Sequence, residues 1–164
     1  MADVFSKAKR SAVMARIRSR GNRATELVLA ALLRRHALTG WRRHWEIRAA
    51  AAGRSRFRVR PDFVFRRERV ALFVDGCFWH GCPRHGTLPA GHRPFWRRKL
   101  AGNRARDRRV NRALRRLGWR VVRVWEHELA RPREPRLARR LARALFSARA
   151  RKTASGAGCA RGGT

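Results

Sequence analysis

Phe73-Val74-Asp75-Gly76-Cys77-Phe78-Trp79-His80-Gly81-Cys82-Pro83-Arg84-His85 follows directly on the apolar run Val70-Ala71-Leu72. Within it Asp75, Cys77, His80, Cys82 and His85 supply a carboxylate, two thiols and two imidazoles, and Phe78 and Trp79 add two large rings. Packing does not call for so many ligand and acid/base groups at the end of one strand-like segment. The stretch reads as a site.

Metal chemistry has the strictest spacing rules. Cys77, Cys82 and His85 form C-x4-C-x2-H, and thiolates with imidazole suit tetrahedral zinc. Three ligands so close in sequence need a fourth from elsewhere. His127, in Val124-Trp125-Glu126-His127-Glu128 at the end of a second apolar run, is the first choice. Gly81, Pro83 and Gly86 supply turn chemistry around the set. The competing reading makes Cys77 and Cys82 buried free thiols and His85 a solvated loop residue. Cys159, in a Gly/Ala/Arg tail, reads as a bystander.

Upstream, Phe63 to Phe65 and Val70 to Val74 are β-rich runs separated by the charged residues Arg66 to Arg69, which predicts a hairpin. If Phe65 pairs with Val70, Asp62 lies opposite Phe73, and Asp75 is its diagonal neighbour on the same face. Diagonal Cβ atoms sit roughly 7–8 Å apart or slightly less, within reach of one hydrated divalent ion. Magnesium prefers oxygen ligands and is usually held by one or two carboxylates together with substrate phosphates. The competing reading pairs Asp62 and Asp75 with arginine as ordinary strand-end residues.

His80 stands in the same loop as the thiols but outside the four-ligand set, and a near-neutral imidazole there can act as general acid or base. Phe78 and Trp79 follow Gly76 in a polar loop. Rings in such a loop stand outside any strand pattern and read as contact groups rather than core. Alternatively, they cover the zinc loop. His36, His44 and His92 read as surface histidines, and Trp119 and Trp125 as core.

Several motifs, in order and spacing, resemble the very-short-patch-repair DNA mismatch endonucleases from residue 1 to about residue 146. They are Met1-Ala2-Asp3-Val4, Glu26, Arg60-Pro61-Asp62-Phe63, Gly76-Cys77-Phe78-Trp79-His80, Phe95-Trp96 with Lys99 and Asn103, Arg106-Asp107-Arg108-Arg109, and Gly118-Trp119-Arg120-Val121 before Val124-Trp125-Glu126. The resemblance implies a restriction-endonuclease-like α/β fold, a central mixed β-sheet flanked by helices, with a structural zinc loop. It also implies a magnesium-dependent nick beside a thymine mispaired with guanine, the product of 5-methylcytosine deamination, and a functional link to a cytosine-5 methyltransferase.

Carried over by position, Asp62 binds magnesium with help from the Val74 backbone carbonyl, His80 is a catalytic histidine, and Glu26 supports the site from the first core helix. Phe78, Trp79 and Trp96 match the aromatic wedge, Met14 approaches the opposite groove, and Lys99 and Asn103 fall among the DNA-contacting positions. The chain departs from the better-known members at Asp75, where they have histidine, and at His127, where cysteine is common. Asp75 is therefore expected as a second magnesium ligand, with Glu26 orienting His80. Two alternatives are a catalytically inert zinc-stabilised DNA-binding or repair-accessory module, and a nuclease of the same fold acting on other DNA.

A net charge of +33 over 164 residues favours a polyanionic partner, double-stranded DNA above all, because neutralised phosphates release counterions. The basic residues are nearly all arginine, and alanine is abundant too, so part of the charge can reflect a GC-rich coding sequence. No apolar run approaches the roughly 20 residues of a membrane span, and the first residues lack a secretory core. A monomeric, cytoplasmic, nucleoid-associated bacterial protein is expected, and three cysteines argue against a disulfide framework.

Residues 1–20 read as a basic DNA-contacting helix, 21–150 as the nuclease domain and 151–164 as a disordered tail. Within the domain, the sequence predicts a helix over Leu27 to Arg35 capped by Asn22 or Thr25, a strand or turn over Trp41 to Ile47, and a loop over 48–56. A helix from Phe95 to Leu117, a strand from Trp119 to Trp125 and a last helix from Pro135 to Ala150 follow.

Overall fold

The protein's computed structural model describes residues 25–50 and 56–156. The basic segment 1–20 with Met14, the cap candidate Asn22, and Cys159 lie outside the described residues. In chain order come α1 (Glu26–Arg35), β1 (Trp41–Arg43), β2 (Ile47–Ala50), β3 (Arg56–Val59), β4 (Phe63–Phe65), β5 (Val70–Asp75), α2 (Arg93–Arg116) and β6 (Arg120–Trp125). Two 3-10 turns, Glu126–Leu129 and Arg131–Arg133, lead into α3 (Glu134–Gly156).

The hairpin forms in the expected register, with Phe65 opposite Val70, Val64 opposite Ala71 and Phe63 opposite Leu72. It is the centre of a four-stranded sheet ordered β1-β4-β5-β6. β1 and β4 run antiparallel, whereas β5 and β6 are parallel. A parallel pair cannot be closed by a tight turn, and the crossover is α2. Pro94 sits in the first turn of that helix, where its missing N–H is no loss. Gly118, at φ +75°, ends the crossover and lets the chain turn straight into β6.

Period-two alternation splits the strands between two cores. Phe63, Phe65, Val70, Leu72 and Val124 face α1 and α3, meeting Leu29, Leu33, Leu137 and Leu141. Val64, Ala71, Phe73 and Val121 face α2 and pack with Val110 and Leu114. By the same alternation Asp62, Asp75 and Arg123 point to the α2 side, so the polar groups at the strand ends share one face.

Residues 48–56 depart from the expected loop: β2 and β3 pair as a separate two-stranded ladder with Ile47 opposite Val59. Alanine and arginine carry no strand signal there. The pairing is held by Ile47, Phe57 and Val59 joining the α2-side core, a tertiary contact that overrides local propensity. α3 runs to Gly156, across the start of the segment read as a tail. Among the described residues no helix is long and apolar enough to cross a membrane.

Candidate active site and metal centre

Where β5 ends, a cleft of about 710 Å³ opens between the sheet, the amino end of α1 and the middle of α2. Asp62, Asp75, His80, Glu26 and the Val74 backbone all line it, together with Arg58 and Arg106. The Val74 N–H donates to Asp62 Oδ2 at 2.7 Å, which fixes the carboxylate across the hairpin.

Glu26, His44 and Asp62 each offer a ligand atom, and these atoms lie within 4.8 Å of one another. Arg43 Nη2 donates to Glu26 Oε2 at 2.5 Å, and His44 Nε2 lies 3.1 Å from the same oxygen. His44 was read from sequence as a surface histidine. Its backbone takes a left-handed φ of +50°, and its N–H donates to the Asp62 carbonyl at 3.3 Å, so the turn after β1 delivers the ring to the acids. Asp75 is not part of this group; its carboxylate is 3% exposed as a residue and ion-paired to Arg123 at 2.6 Å. The two aspartates share a face as the hairpin predicts, but the acid that converges on Asp62 is Glu26.

Burial pushes the Asp62 carboxyl from its ordinary 3.8 up to about 6, opposed by the Val74 hydrogen bond and reinforced by the neighbouring charges of Glu26 and Asp75. A buried carboxylate among other acids fits a bound cation, which would remove that penalty. Two carboxylates and an imidazole are a donor set for a divalent ion, the oxygens suiting a hard one.

The shift has a measurable consequence for stability. The folded carboxyl holds its proton more tightly than the unfolded one, so its cost is absent below pH 3.8, accrues as pH rises, and is complete above about 6. Without added divalent ion, Asp62→Asn should therefore stabilise the protein by on the order of 2 kcal/mol at pH 7.5 and by clearly less at pH 4.5. Urea unfolding at the two pH values measures this. A gain independent of pH would contradict the burial argument.

On the α2 side of the cleft, His80 Nδ1 donates to Asp107 Oδ2 at 2.7 Å. This replaces Glu26 as the expected orienting partner. Asp107 is the only acid in α2, on the helix face that carries Val110 and Leu114 inward. An isolated acid on the inward face of an arginine-rich helix is the signal that could have marked it.

Behind the loop, Cys77, Cys82, His85 and His127 bring their ligand atoms within 4.8 Å of one another. Cys77 Sγ lies 3.2 Å from His127 Nδ1, and Cys82 Sγ lies 3.8 Å from His85 Nδ1 and 3.6 Å from His127 Nδ1. A tetrahedral zinc with ordinary bond lengths has sulfur–nitrogen edges of roughly 3.6 Å, so the spacing fits such an ion. Burial raises the Cys77 thiol and lowers His127, the latter keeping its imidazole neutral as a ligand must be. Gly86 closes the loop, because a Cβ there would lie 2.5 Å from the Cys82 carbonyl oxygen.

Phe78, Trp79, Phe95 and Trp96 form one cluster. The Phe78 ring meets Trp79 and Trp96 edge-on, with centroids 5.0 and 5.2 Å apart. Trp96, expected in the wedge, is only 6% exposed and supports the others from beneath, whereas its neighbour Phe95 is 52% exposed. Asn103, expected at DNA, donates to the Trp79 carbonyl at 2.8 Å. Lys99 is exposed on the same helix.

A mixed α/β domain with carboxylates, a histidine–aspartate pair and arginines in one cleft has the makeup of a nuclease. The sequence matches the family model described as DNA mismatch endonuclease Vsr over residues 2–85. It is 42% identical over 129 residues to the DNA mismatch endonuclease Vsr of Escherichia coli K12, covering 77% of this chain and 74% of that protein. The chain belongs to the Vsr family. It is also 55% identical over 71 residues to the type II nicking enzyme V.NaeI of Lentzea aerocolonigenes, and 51% identical over 72 residues to V.XorIIP of Xanthomonas oryzae pv. oryzae. Each of these alignments covers 43% of this chain, and they span 43% and 52% of the two relatives, about half their length.

Proposed function

We propose that the protein is a DNA endonuclease that hydrolyses one phosphodiester of duplex DNA beside a thymine mispaired with guanine. What carries this reading is the convergence of the Asp62 carboxylate and the His80 imidazole on one arginine-lined cleft, next to Trp79. The names of the relatives, a DNA mismatch endonuclease and two type II nicking enzymes, support cleavage of a DNA strand.

In this reading Asp62 and Glu26, with the His44 ring beside them and the Val74 carbonyl assigned by resemblance, would hold a divalent ion, taken to be magnesium. Bound there, the ion supplies positive charge to the scissile phosphate and lowers the cost of a hydroxide nucleophile. Arg58 and Arg106 draw the phosphates into the cleft. Asp107 occupies Nδ1 of His80, which leaves Nε2 to take or give a proton at the reacting oxygens. Phe78 and Trp79, backed by Trp96, part the base stack, and a weakly stacked T:G pair yields more readily than a matched one.

Zinc on Cys77, Cys82, His85 and His127 is assigned a structural role, since four protein ligands leave no open position. It fixes the loop that presents His80 and the rings. The protein is taken to act as a monomer in the bacterial cytoplasm, alongside a cytosine-5 methyltransferase whose deaminated products it meets. Hydrolysis in this manner leaves a 5′-phosphate and a 3′-hydroxyl, so a nicked product should be sealed by DNA ligase. A product that ligase cannot reseal would contradict the hydrolytic route.

A further inference from the structure

Resting on the nuclease reading above, we infer that Arg123 is a positioning residue: its guanidinium fixes Asp75 and Asp107 together, and Asp107 in turn fixes the His80 ring. Arg123 stands on β6 directly opposite Phe73 of β5, on the sheet face that meets α2. All three of its nitrogens are engaged. Nη1 donates to Asp75 Oδ1 at 2.6 Å, Nη2 to Asp107 Oδ1 at 3.1 Å, and Nε to Asn111 Oδ1 at 3.2 Å. The Phe73 ring lies beneath, 4.8 Å from Cζ.

The distances show what this fork decides. His80 Nδ1 has two carboxylates in range, Asp107 Oδ2 at 2.7 Å and Asp75 Oδ1 at 3.6 Å. Arg123 takes Asp75 Oδ1 for itself and grips Asp107 by its other oxygen, so a single acceptor, Asp107 Oδ2, is left aimed at the ring. The ring's rotation follows, and with it the position of Nε2. Arg123 stands on β6, its partners Phe73 and Asp75 on β5 and Asp107 and Asn111 on α2, and through Asp107 it reaches His80 in the loop after β5, so one planar group ties three elements and a loop together.

A lysine could neutralise the two acids but could not hold three acceptors in a plane. The same geometry commits Asp75 Oδ1 to Arg123 at 2.6 Å. Asp75 serves as the counter-anchor of Arg123. Misplacing a reacting group by about 1 Å costs on the order of 100-fold in rate, which sets the expected effect.

The test compares wild type, Arg123→Gln, Arg123→Lys and the double variant Asp75→Asn/Arg123→Gln. Each is measured by Tm, affinity for a T:G duplex, single-turnover nicking rate, and an NMR spectrum at fixed pH that reports which His80 ring nitrogen carries the proton. Arg123→Gln leaves Asp75 buried without its partner and should lower Tm. The double variant removes that charge and should regain it. Both should bind duplex within about 3-fold of wild type yet nick about 100-fold more slowly, with Arg123→Lys at least about 10-fold slow. His80 should carry its proton on Nδ1 in wild type and lose that preference in the double variant. A double variant that nicks at the wild-type rate would show that Arg123 only neutralises Asp75, and would overturn the inference. If wild type nicks no duplex, the nuclease reading falls and the spectrum alone decides: an unchanged Nδ1 preference in the double variant would refute the positioning role.

Discussion

Asp62→Asn should leave the protein folded and able to hold a mismatched duplex while lowering its single-turnover nicking rate by about 1,000-fold or more. Asparagine keeps an oxygen for the Val74 N–H, now 2.7 Å from the carboxylate, so the hairpin geometry survives. What is lost is the anion that a divalent ion needs. Stabilisation of transition-state charge by such an ion amounts to several kcal/mol, and each 1.4 kcal/mol is about tenfold in rate. Affinity should not fall, because binding comes from arginine and lysine contacts to phosphate, and removing a negative charge from the cleft does not oppose it. A quench assay on end-labelled duplex with a parallel gel-shift titration separates the two quantities. Nicking at the parental rate would remove Asp62 from the chemistry.

The second large effect concerns the thiol–imidazole centre. Cys82 is 3% exposed and sits 3.6 Å from His127 Nδ1, so Cys82→Ser weakens a site whose ligands come from two distant parts of the chain. The binding free energy of a structural ion is folding free energy. Losing even ~4 kcal/mol of it from a domain of this size should lower Tm by roughly 10 °C, at 2–4 °C per kcal/mol. Cys82→Ser and His127→Ala should both show this fall and lose bound zinc, while Cys159→Ser should do neither. Calorimetry paired with elemental analysis measures both. An active, purified protein without zinc would contradict the assignment.

What was legible in the sequence follows from how local each signal is. The β4–β5 hairpin is set by two short runs of β-favouring apolar residues around the charged turn Arg66 to Arg69, and a one-residue slip would have put Asp62 on the wrong face. The thiols and His85 sit in one loop after β5, and His127 lies in the 3-10 turn just after β6, the strand parallel to β5, so the four are brought together. His44 gave no such signal. Its arrival at Glu26 depends on β1 pairing with β4, which lays Arg43 opposite Phe63 and turns the next residue toward Asp62. The role of Asp75 was hidden for a related reason. The hairpin alone shows two acids on one face, and only the parallel pairing with β6 adds Arg123 between Asp75 and α2. Arg123 in the apolar run Val121-Val122-Arg123-Val124 was itself a clue, since an inward arginine needs partners. The β2–β3 ladder had no local marker, because what holds it is the tertiary packing of Ile47, Phe57 and Val59 in the α2-side core.

Mismatch-directed nicking is tested most directly by incubating the protein with two duplexes that differ at one pair, T:G against the matched pair, with and without magnesium. A single nick in the thymine-bearing strand of the mismatched duplex is expected, dependent on magnesium, with the matched duplex left essentially intact. Equal cleavage of both duplexes, or nicking that persists without divalent ion, would contradict it.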